Sequence, residues 1–379
     1  MTTLTNPEIT PQPPAVGIED IQETKGLSQG QIIRKRFFGH TAAMVALVVF
    51  LLVVILVFSA SGIKLWGWIN IPGWWKYSYL DVQDLVKNAA PTYQFPFTLG
   101  DHPFGQDRVG RDMFAMTMRA AQLSIMVMFT IGIVACFIGV VVGALSGFFR
   151  GWVETVLMRI TDAIIIIPVI VTGAVLGQIV GNASVGNTVI GADGQPAVQR
   201  DLTADLFKWL QDNLGVVLLG IFLSLVIWVG LARLVRGDFL SLREREFVDA
   251  ARIAGASNGR IIFKHILPNA VGVIIVNTTL LMSSAILLEA GLSFIGLGVK
   301  QPDISLGSLV VQNQEAFSTR PWLFWFPGLF IIIICLCINF IGDGLRDAFD
   351  PRQKKFNAKR AKNKADAAIA KAETKAGKA

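Results

Sequence analysis

Residues 41–63 read TAAMVALVVFLLVVILVFSASGI, a run without a single Asp, Glu, Lys or Arg. A helix needs about 20 consecutive apolar residues to cross a hydrocarbon core ~30 Å thick. This stretch is therefore predicted to be a membrane-spanning helix, and it places the chain among integral membrane proteins.

Five further stretches of the chain also lack those four residue types. They are residues 120–149, 163–192, 213–232, 269–288 and 321–342. Only 16% of the 379 residues are charged, against about 25% in soluble domains. The sequence thus predicts an all-α protein with six transmembrane helices, the third of which leaves the membrane near Gly181 and Asn182.

The basic residues are concentrated in alternate connecting segments. Arg34, Lys35 and Arg36 precede the first span, and further basic residues lie between the second and third spans, between the fourth and fifth, and after the sixth. Cytoplasmic loops carry the excess of Lys and Arg. We therefore expect a multi-pass protein of the cell (inner or cytoplasmic) membrane with both termini in the cytoplasm. Nucleic-acid binding is the competing interpretation of the net charge of +7, but the topology accounts for the charge, and no nucleic-acid partner is expected.

These spans divide the chain into segments. We expect a cytoplasmic tail (1–36), a first transmembrane helix (37–63), an outer segment (64–119), a core (120–345) and a basic cytoplasmic tail (346–379), which is either a solvated tail or drawn to membrane lipid. The core includes an outer insertion at 182–212 and a cytoplasmic loop at 236–269. Within the insertion, residues 202–210 have the spacing of a short amphipathic helix, lying on the membrane or packed on the outer segment.

Two of the spans carry glycine at every fourth position. Small residues let helix backbones approach closely in lipid, so these positions are predicted to be helix-packing faces: Gly139, Gly143 and Gly147 in the second span, and Gly173, Gly177 and Gly181 in the third.

The sequence offers no chemistry of its own. It has no G-x-x-x-x-G-K-[ST] phosphate loop, and no nucleophile–base set can be assembled from its polar segments. Cys136, Cys335 and Cys337 lie within apolar spans and are interpreted as small apolar residues. No catalytic residue, cofactor or metal site is predicted, so the energy for any pumping must come from another chain.

The cytoplasmic loop contains an amphipathic helix–glycine–helix unit. Ser241 and Glu244 have the spacing of a capping box that begins a helix, and Gly255 is placed as its left-handed C-cap. A second helix is expected over 258–265, with Pro268 breaking the chain before the fifth span. The apolar face of the first helix would be formed by Phe247, Ala250, Ala251 and Ala254. Such a unit is either a lever that docks into a partner or an ordinary loop helix.

This loop resembles the EAA loop of ABC importer permeases, in which E-A-A is followed by three residues, Gly, nine residues and I-x-L-P. Here Asp249-Ala250-Ala251, Gly255 and His265-Ile266-Leu267-Pro268-Asn269 stand in the same register, with Asp in place of Glu and His in place of Ile. The resemblance implies that the loop couples to an ATPase. The implied coupling residues are Arg245, Glu246, Phe247, Asp249, Ala250, Ala251, Gly255, His265, Leu267, Pro268 and Asn269.

A second motif resembles the dipeptide/oligopeptide/nickel branch of the same family. That branch has H-P-F-G-T-D-x-x-G-R-D, and residues 102–112 match it, with Gln106 where Thr is usual. The matching outer-motif residues are His102, Pro103, Phe104, Gly105, Asp107, Gly110, Arg111 and Asp112.

The resemblance implies a type I ABC importer permease, with a MetI-like core of five helices preceded by one N-terminal helix. Its implied partners are a homologous permease subunit, two ABC ATPase subunits and an extracytoplasmic substrate-binding protein. The chain would form half of the path for di- and oligopeptides, or alternatively for nickel or another small solute. The rival class is a secondary transporter or channel, which would need intramembrane charges or broken helices at a binding site.

Overall fold

The computed structural model describes residues 29–65, 69–92, 100–182, 188–190, 196–198, 202–299 and 303–349. For residues 29, 63–65, 69–70 and all those described from 176 to 216, only the backbone is described. The expectations for most of the two tails lie outside these ranges.

Helices account for most of the described residues. They are α1 (Gln29–Phe38), α2 (Thr41–Ser61), α3 (Met113–Phe149), α4 (Gly151–Ile166), α5 (Val169–Asn182), α6 (Leu202–Arg243), α7 (Glu246–Ile253), α8 (Asn258–Arg260), α9 (Leu267–Phe294), α10 (Leu306–Gln312) and α11 (Trp322–Phe349). Two short antiparallel hairpins, which the sequence did not predict, join β1 (Ile63–Leu65) to β2 (Ile69–Ile71) and β3 (Thr188–Ile190) to β4 (Pro196–Val198).

Five helical stretches of the described chain are long and apolar enough to cross a membrane. They are Thr41–Ser61, Met113–Phe149, Val217–Arg243, Asn258–Phe294 and Trp322–Phe349. A bent pair, Gly151–Ile166 with Val169–Val175, makes a sixth if the two pieces are one span. The predicted all-α membrane fold is confirmed.

The third predicted span is not one straight helix. Its two pieces meet at an angle of 83°, and the break falls at Ile167 and Pro168. Ile167 is extended, with φ −79° and ψ 122°, as a residue before proline prefers, because the proline ring clashes with a helical neighbour. The sequence analysis expected one span from residue 163 to near Gly181 and Asn182, and the bend within it was not predicted because the effect of Pro168 was not weighed.

The residues expected to form a short surface helix at 202–210 instead open a longer one. They are the first part of α6, which continues without interruption to Arg243. The helical spacing was read correctly, but its end was not, because the helix continues through Gly215, which lies between the polar and the apolar parts.

The three second-span glycines of α3 lie against α6. A Cβ added at Gly139 would come within 3.1 Å of the Leu231 side chain, and one at Gly143 within 2.6 Å of the Ala232 carbonyl oxygen. At Gly147 it would come within 2.7 Å of the Phe239 Cβ. Both α3 and α6 therefore owe their close approach to glycine, as small residues allow in lipid.

The third-span glycines are described only at Gly173. A Cβ there would lie 3.0 Å from a Leu292 methyl group of α9 and 3.1 Å from a Leu223 methyl group of α6. The surroundings of Gly177 and Gly181 lie outside the described residues.

Candidate functional site

The loop helix α7 begins later than its predicted capping box. Ser241 lies within the last turns of α6, and Arg245 is the N-cap of α7, with extended angles of φ −88° and ψ 145°. The expected box at Ser241 and Glu244 is therefore wrong. The acidic residues of the first turn, Glu246 and Asp249, stabilise the helix through its dipole instead.

One face of α7 is buried within this chain. Val248 is fully buried and Ala251 is 9% exposed. Both belong to an apolar cluster with residues from the ends of several spans: Ala144, Phe148, Leu231, Val235, Phe239, Ile261, Ile262, Ile266, Ala270 and Ile274. The helix thus lies closest to residues 261–266 and shares this cluster with the ends of α3 and α6, rather than projecting as a free arm.

The predicted apolar face of α7 is divided by this packing. Phe247, Ala250 and Ala254 are exposed, whereas Ala251 is turned inward. Ile253, which was not predicted to take part, is 90% exposed. The four exposed residues, Phe247, Ala250, Ile253 and Ala254, form what we call the outward face of α7.

Gly255 ends the helix as predicted. Its φ is +78°, a conformation that glycine adopts without steric cost. The Gly255 N–H donates to the Arg252 carbonyl at 2.9 Å, and the Ala256 N–H donates to the Ala251 carbonyl at 3.0 Å. The second bond is the long closing bond of a Schellman cap.

The chain after Gly255 re-enters helix and does not break at Pro268. The Ser257 side chain caps α8, a π-helical segment covers Ile261–Ile266, and α9 follows directly. Proline removes one backbone donor and clashes with the carbonyl four residues earlier. A π-helical turn changes the bonding register before the proline, and the Leu267 N–H donates to Ile262. The predicted break was wrong for this reason.

Three of the motif residues around this proline have defined positions. The Asn269 side-chain amide donates to the His265 carbonyl at 2.7 Å. This bond gives a partner to a carbonyl of the π-helical segment, where the helical bonding pattern changes. Leu267 packs against the cluster that holds α7, and the His265 side chain is partly exposed.

Ion pairs hold together the helix ends that lie nearest to α7. Arg236 of α6 donates to Glu154 of α4 at 2.9 Å, and Arg150 lies 2.8 Å from Glu244. The Arg243 guanidinium donates to the Phe148 carbonyl. Exposed pairs contribute little stability singly, but together they fix α4 beside the base of α7.

The outer motif forms a closed network of hydrogen bonds within this chain. Asp112 caps α3 by accepting from the Ala115 N–H at 2.8 Å, and its carboxylate also accepts from Trp75 Nε1 at 2.8 Å. His102 Nδ1 lies 2.9 Å from the same carboxylate, and the His102 ring stacks on Tyr77 at 4.8 Å. These polar atoms satisfy one another, which is the arrangement of a structural element.

The remaining residues of the outer motif also hold this segment together, through an ion pair, a stacked pair of rings and two tight turns. Asp107 accepts from Arg111 Nε at 2.7 Å, and Phe104 stacks on Phe326 of α11 at 3.9 Å. Gly105 and Gly110 have φ of +77° and +97°, and a Cβ at Gly110 would lie 2.1 Å from a carbonyl oxygen. Pro103 is buried beside them.

Gln106, the departure from the family pattern, is fully buried. Its oxygen accepts from the Val86 N–H at 2.8 Å, and its amide nitrogen donates to the carbonyls of Asp84 at 2.9 Å and Gly110 at 3.2 Å. A threonine at this position could not reach all three groups, so the longer amide holds the 84–86 stretch to the motif.

The structure makes prominent four residues to which sequence reasoning assigned no role. Val248 anchors α7, and its burial could have been inferred from its spacing with Ala251. Glu289 is 1% exposed inside the bundle, and Arg119 pairs with Asp303 at 3.0 Å. The last pair joins positions too far apart in sequence for any local pattern to reveal.

Comparison with known proteins gives matches over most of the chain. The family described as "Binding-protein-dependent transport system inner membrane component" matches residues 139–355. The family described as "N-terminal TM domain of oligopeptide transport permease C" matches residues 28–91.

Curated relatives match over similar lengths. A protein of Brucella ovis, named as a peptide permease, is 35% identical over 286 residues, which cover 75% of this chain and 82% of the relative. The oligopeptide transport system permease protein OppC of Mycobacterium tuberculosis is 31% identical over 331 residues, 87% of this chain and 97% of its own. The OppC of Haemophilus influenzae is 31% identical over 337 residues, 89% and 93% of the two chains.

Proposed function

The chain belongs to the family of binding-protein-dependent transport system inner membrane components, and on this premise we propose that it forms half of the translocation path of an ATP-driven peptide importer. Permeases of this family work with other ABC subunits, and ATP hydrolysis takes place in separate chains. The proposed partners are a homologous permease, two ATPase subunits and an extracytoplasmic substrate-binding protein.

The observation that carries the coupling role is the division of α7 into two faces. Its inward face joins an apolar cluster that includes Phe148 of α3, Phe239 of α6 and Ile274 of α9. Its outward face leaves Ile253 90% exposed. An apolar face this exposed is costly unless a partner covers it, so we assign the outward face to an ATPase subunit.

The inward packing explains how movement would pass into the membrane. Packed side chains resist deformation because protein interiors are as dense as organic crystals. A displacement of α7 by the ATPase would therefore be passed to the ends of α3, α6 and α9 together. Such small shifts of rigid elements are a recurrent means of switching between states.

The proposed orientation places α7 in the cytoplasm with both termini. It rests on the Lys and Arg residues of the 236–269 loop and of the segments before α2 and after α11. Cysteine labelling by an impermeant reagent tests it: a cysteine at Gln195 is expected to react from outside and one at Ser257 only from the cytoplasmic side. The opposite pattern would invert the topology.

Peptide is proposed as the cargo because the relatives above are named as peptide and oligopeptide permeases. Uptake of labelled di- and oligopeptides into vesicles containing the reconstituted complex, with nickel uptake measured in parallel, tests this assignment. ATP-dependent accumulation of nickel without peptide would overturn it, and uptake without ATP would indicate a secondary transporter or channel.

The coupling assignment has its own test. Ile253→Asp places a charge on the outward face without disturbing the buried cluster, and is expected to abolish co-purification of the ATPase and ATP-dependent uptake. Leu85→Asp is the matched control, because Leu85 is 52% exposed on the outer segment. Normal ATPase recovery and uptake with Ile253→Asp would remove α7 from the coupling role.

A further inference from the structure

The short helix α1 ends next to the membrane boundary. The span that follows it, Thr41–Ser61, has 21 residues, which at 1.5 Å each are about 31 Å long, and the hydrocarbon core is ~30 Å thick. All of α2 is therefore needed to cross the core, which places Thr41 at its edge. Phe38, the last residue of α1, is three positions before Thr41, so the two Cα atoms lie within about 11 Å of each other.

Helix α1 is held against the last turns of α11 and does not form one helix with α2. His40 separates the two, because it is extended, with φ −90° and ψ 96°, and its Nδ1 accepts from the Ala43 N–H at 3.2 Å. His40 Nε2 lies 3.4 Å from Asp347 of α11, and a Cβ at Gly344 would come within 3.5 Å of the Phe37 ring. One side of α1 is thus occupied by α11.

Another side of α1 is open. Arg34, Lys35 and Phe38 are exposed, and the Phe38 side chain is 59% exposed. Residues three and four apart lie on one face of a helix, so both basic side chains neighbour Phe38. We call these three residues the basic face of α1. Basic side chains beside an exposed aromatic ring are typical of helices that lie at a membrane surface.

The charge of this face is not compensated within the described chain. Neither Arg34 nor Lys35 forms an ion pair with another described residue. Of the two helices that pack most closely on α1, α2 has no charged residue, and α11 is charged only in its last turns. Together α1 and α11 carry four basic and two acidic residues, namely Arg34, Lys35, Arg36 and Arg346 against Asp343 and Asp347. An acidic partner therefore complements this end of the bundle.

We propose that the basic face of α1 binds the headgroups of anionic phospholipids. The headgroup layer is about 5–8 Å thick on each side of the core, so Phe38 lies within this layer or a few Å from it. The phosphate oxygens would accept from Arg34 and Lys35, and the Phe38 ring would lie between headgroups and acyl chains. Each basic residue this close to an anionic surface is attracted to it. The proposal is independent of the transported cargo and of ATPase coupling.

The test is hydrogen exchange of residues 30–38 in the full-length chain, reconstituted in vesicles of phosphatidylcholine with or without phosphatidylglycerol. A helix of 10 residues is marginal by itself, so contact with lipid should slow its exchange. We expect slower exchange with phosphatidylglycerol at low salt, and no difference at high salt, which screens exposed charges. Arg34→Gln combined with Lys35→Gln should reduce the lipid-dependent slowing at least about fivefold.

A matched control makes the same change in net charge elsewhere. Lys76→Gln combined with Arg108→Gln replaces two exposed basic residues of the outer segment and should keep the lipid-dependent slowing. Arg34→Lys conserves the charge and should behave as the unsubstituted chain does. Melting temperatures show whether each variant folds, and the salt dependence of the unsubstituted chain tests the proposal without any variant.

Three outcomes would overturn the proposal. Equal exchange in the two kinds of vesicle would show that α1 does not recognise anionic lipid. Full slowing in the double variant at Arg34 and Lys35 would place the bound lipid elsewhere on the chain. Slowing that requires the ATPase rather than phosphatidylglycerol would make the basic face a docking surface for protein.

Discussion

The backbone N–H of Ala256 donates to the carbonyl of Ala251 at 3.0 Å, across the turn at Gly255. This bond closes the C-terminus of α7 and directs the chain into α8. It forms only because Gly255 adopts a φ of +78°, so the direction in which the chain leaves α7 depends on one residue without a side chain.

Gly255→Val is therefore expected to loosen α7. A left-handed conformation costs an ordinary residue about 1–2 kcal/mol, and a β-branched side chain costs more. We expect faster tryptic cleavage at Arg252 and Arg260 and reduced ATPase co-purification. Gly259→Ala is the control, because nothing lies within 4 Å of a Cβ there and its φ is not left-handed. Equal cleavage rates in the two variants would contradict the role given to Gly255.

The neighbouring alanines of α7 are expected to respond differently to the same change. Ala251→Arg puts a charge into the buried cluster, and should lower the stability of the loop by several kcal/mol unless the side chain escapes to water. Ala250→Arg leaves the fold intact and blocks the outward face. Melting curves and ATPase co-purification separate the two: both variants should lose the ATPase, but only Ala251→Arg should melt earlier. If Ala250→Arg retains the ATPase, the outward face is not the docking surface.

The difference between these alanines shows where sequence reasoning reaches its limit. The motif identified the loop, and the helical spacing placed Phe247, Ala250 and Ala251 near one another. Which of them faces inward depends on the apolar cluster that Ala251 joins, and that cluster includes Phe148 and Phe239, roughly a hundred residues and about ten residues away. Local periodicity carries no information about such neighbours.

The membrane spans were more predictable, because their length and apolar composition follow from the thickness of the bilayer. Two of the departures occur at prolines. Pro168 bends one span, whereas Pro268 lies in a helix that continues past it. The same residue type gives two outcomes because only the second is preceded by a π-helical turn, a feature set by tertiary packing.

Gly143→Ala is expected to weaken the contact between α3 and α6. Its Cβ would lie 2.6 Å from the Ala232 carbonyl oxygen, a backbone atom that cannot move aside without shifting the helix. Overpacking of this kind costs about 1–3 kcal/mol. Gly230→Ala, with nothing within 4 Å of its Cβ, should leave the melting temperature unchanged or slightly higher. Identical melting of both variants would show that the helices can separate at no cost.

Asp112→Ala is expected to destabilise the outer segment by about 2–4 kcal/mol. It removes a helix cap, worth about 1 kcal/mol, and leaves the buried donors of Trp75 and His102 without their acceptor. Loss of the Trp75 environment should also appear in the fluorescence spectrum. Asp101→Ala is the matched control, since its pair with Lys76 is exposed and worth little. If Asp112→Ala has the same melting temperature as Asp101→Ala, the hydrogen-bond network of the outer motif is not needed for stability.

Glu289 provides the last prediction, because it links α9 to the segment before α10. The Ser293 hydroxyl donates to Glu289 Oε1 at 2.7 Å and lies 3.3 Å from the Ser305 hydroxyl. Ser305 in turn caps α10 through a reciprocal bond with Ser308. The chain of polar groups therefore runs from one helix to the start of the next, in a site where Glu289 is only 1% exposed.

Glu289→Gln is expected to keep this link, because the amide oxygen accepts from Ser293 as the carboxylate does. Glu289→Leu removes this acceptor and leaves the Ser293 hydroxyl only its longer contact with Ser305, at a cost of about 1 kcal/mol. Hydrogen exchange over residues 306–312 is the measurement: the Leu variant should exchange faster there, and the Gln variant should match the unsubstituted chain. Glu315→Gln is the control, since Glu315 is exposed just beyond α10. If Glu289→Gln exchanges as fast as Glu289→Leu, the carboxyl group itself is required, and the hydrogen bond to Ser293 would not by itself explain its burial.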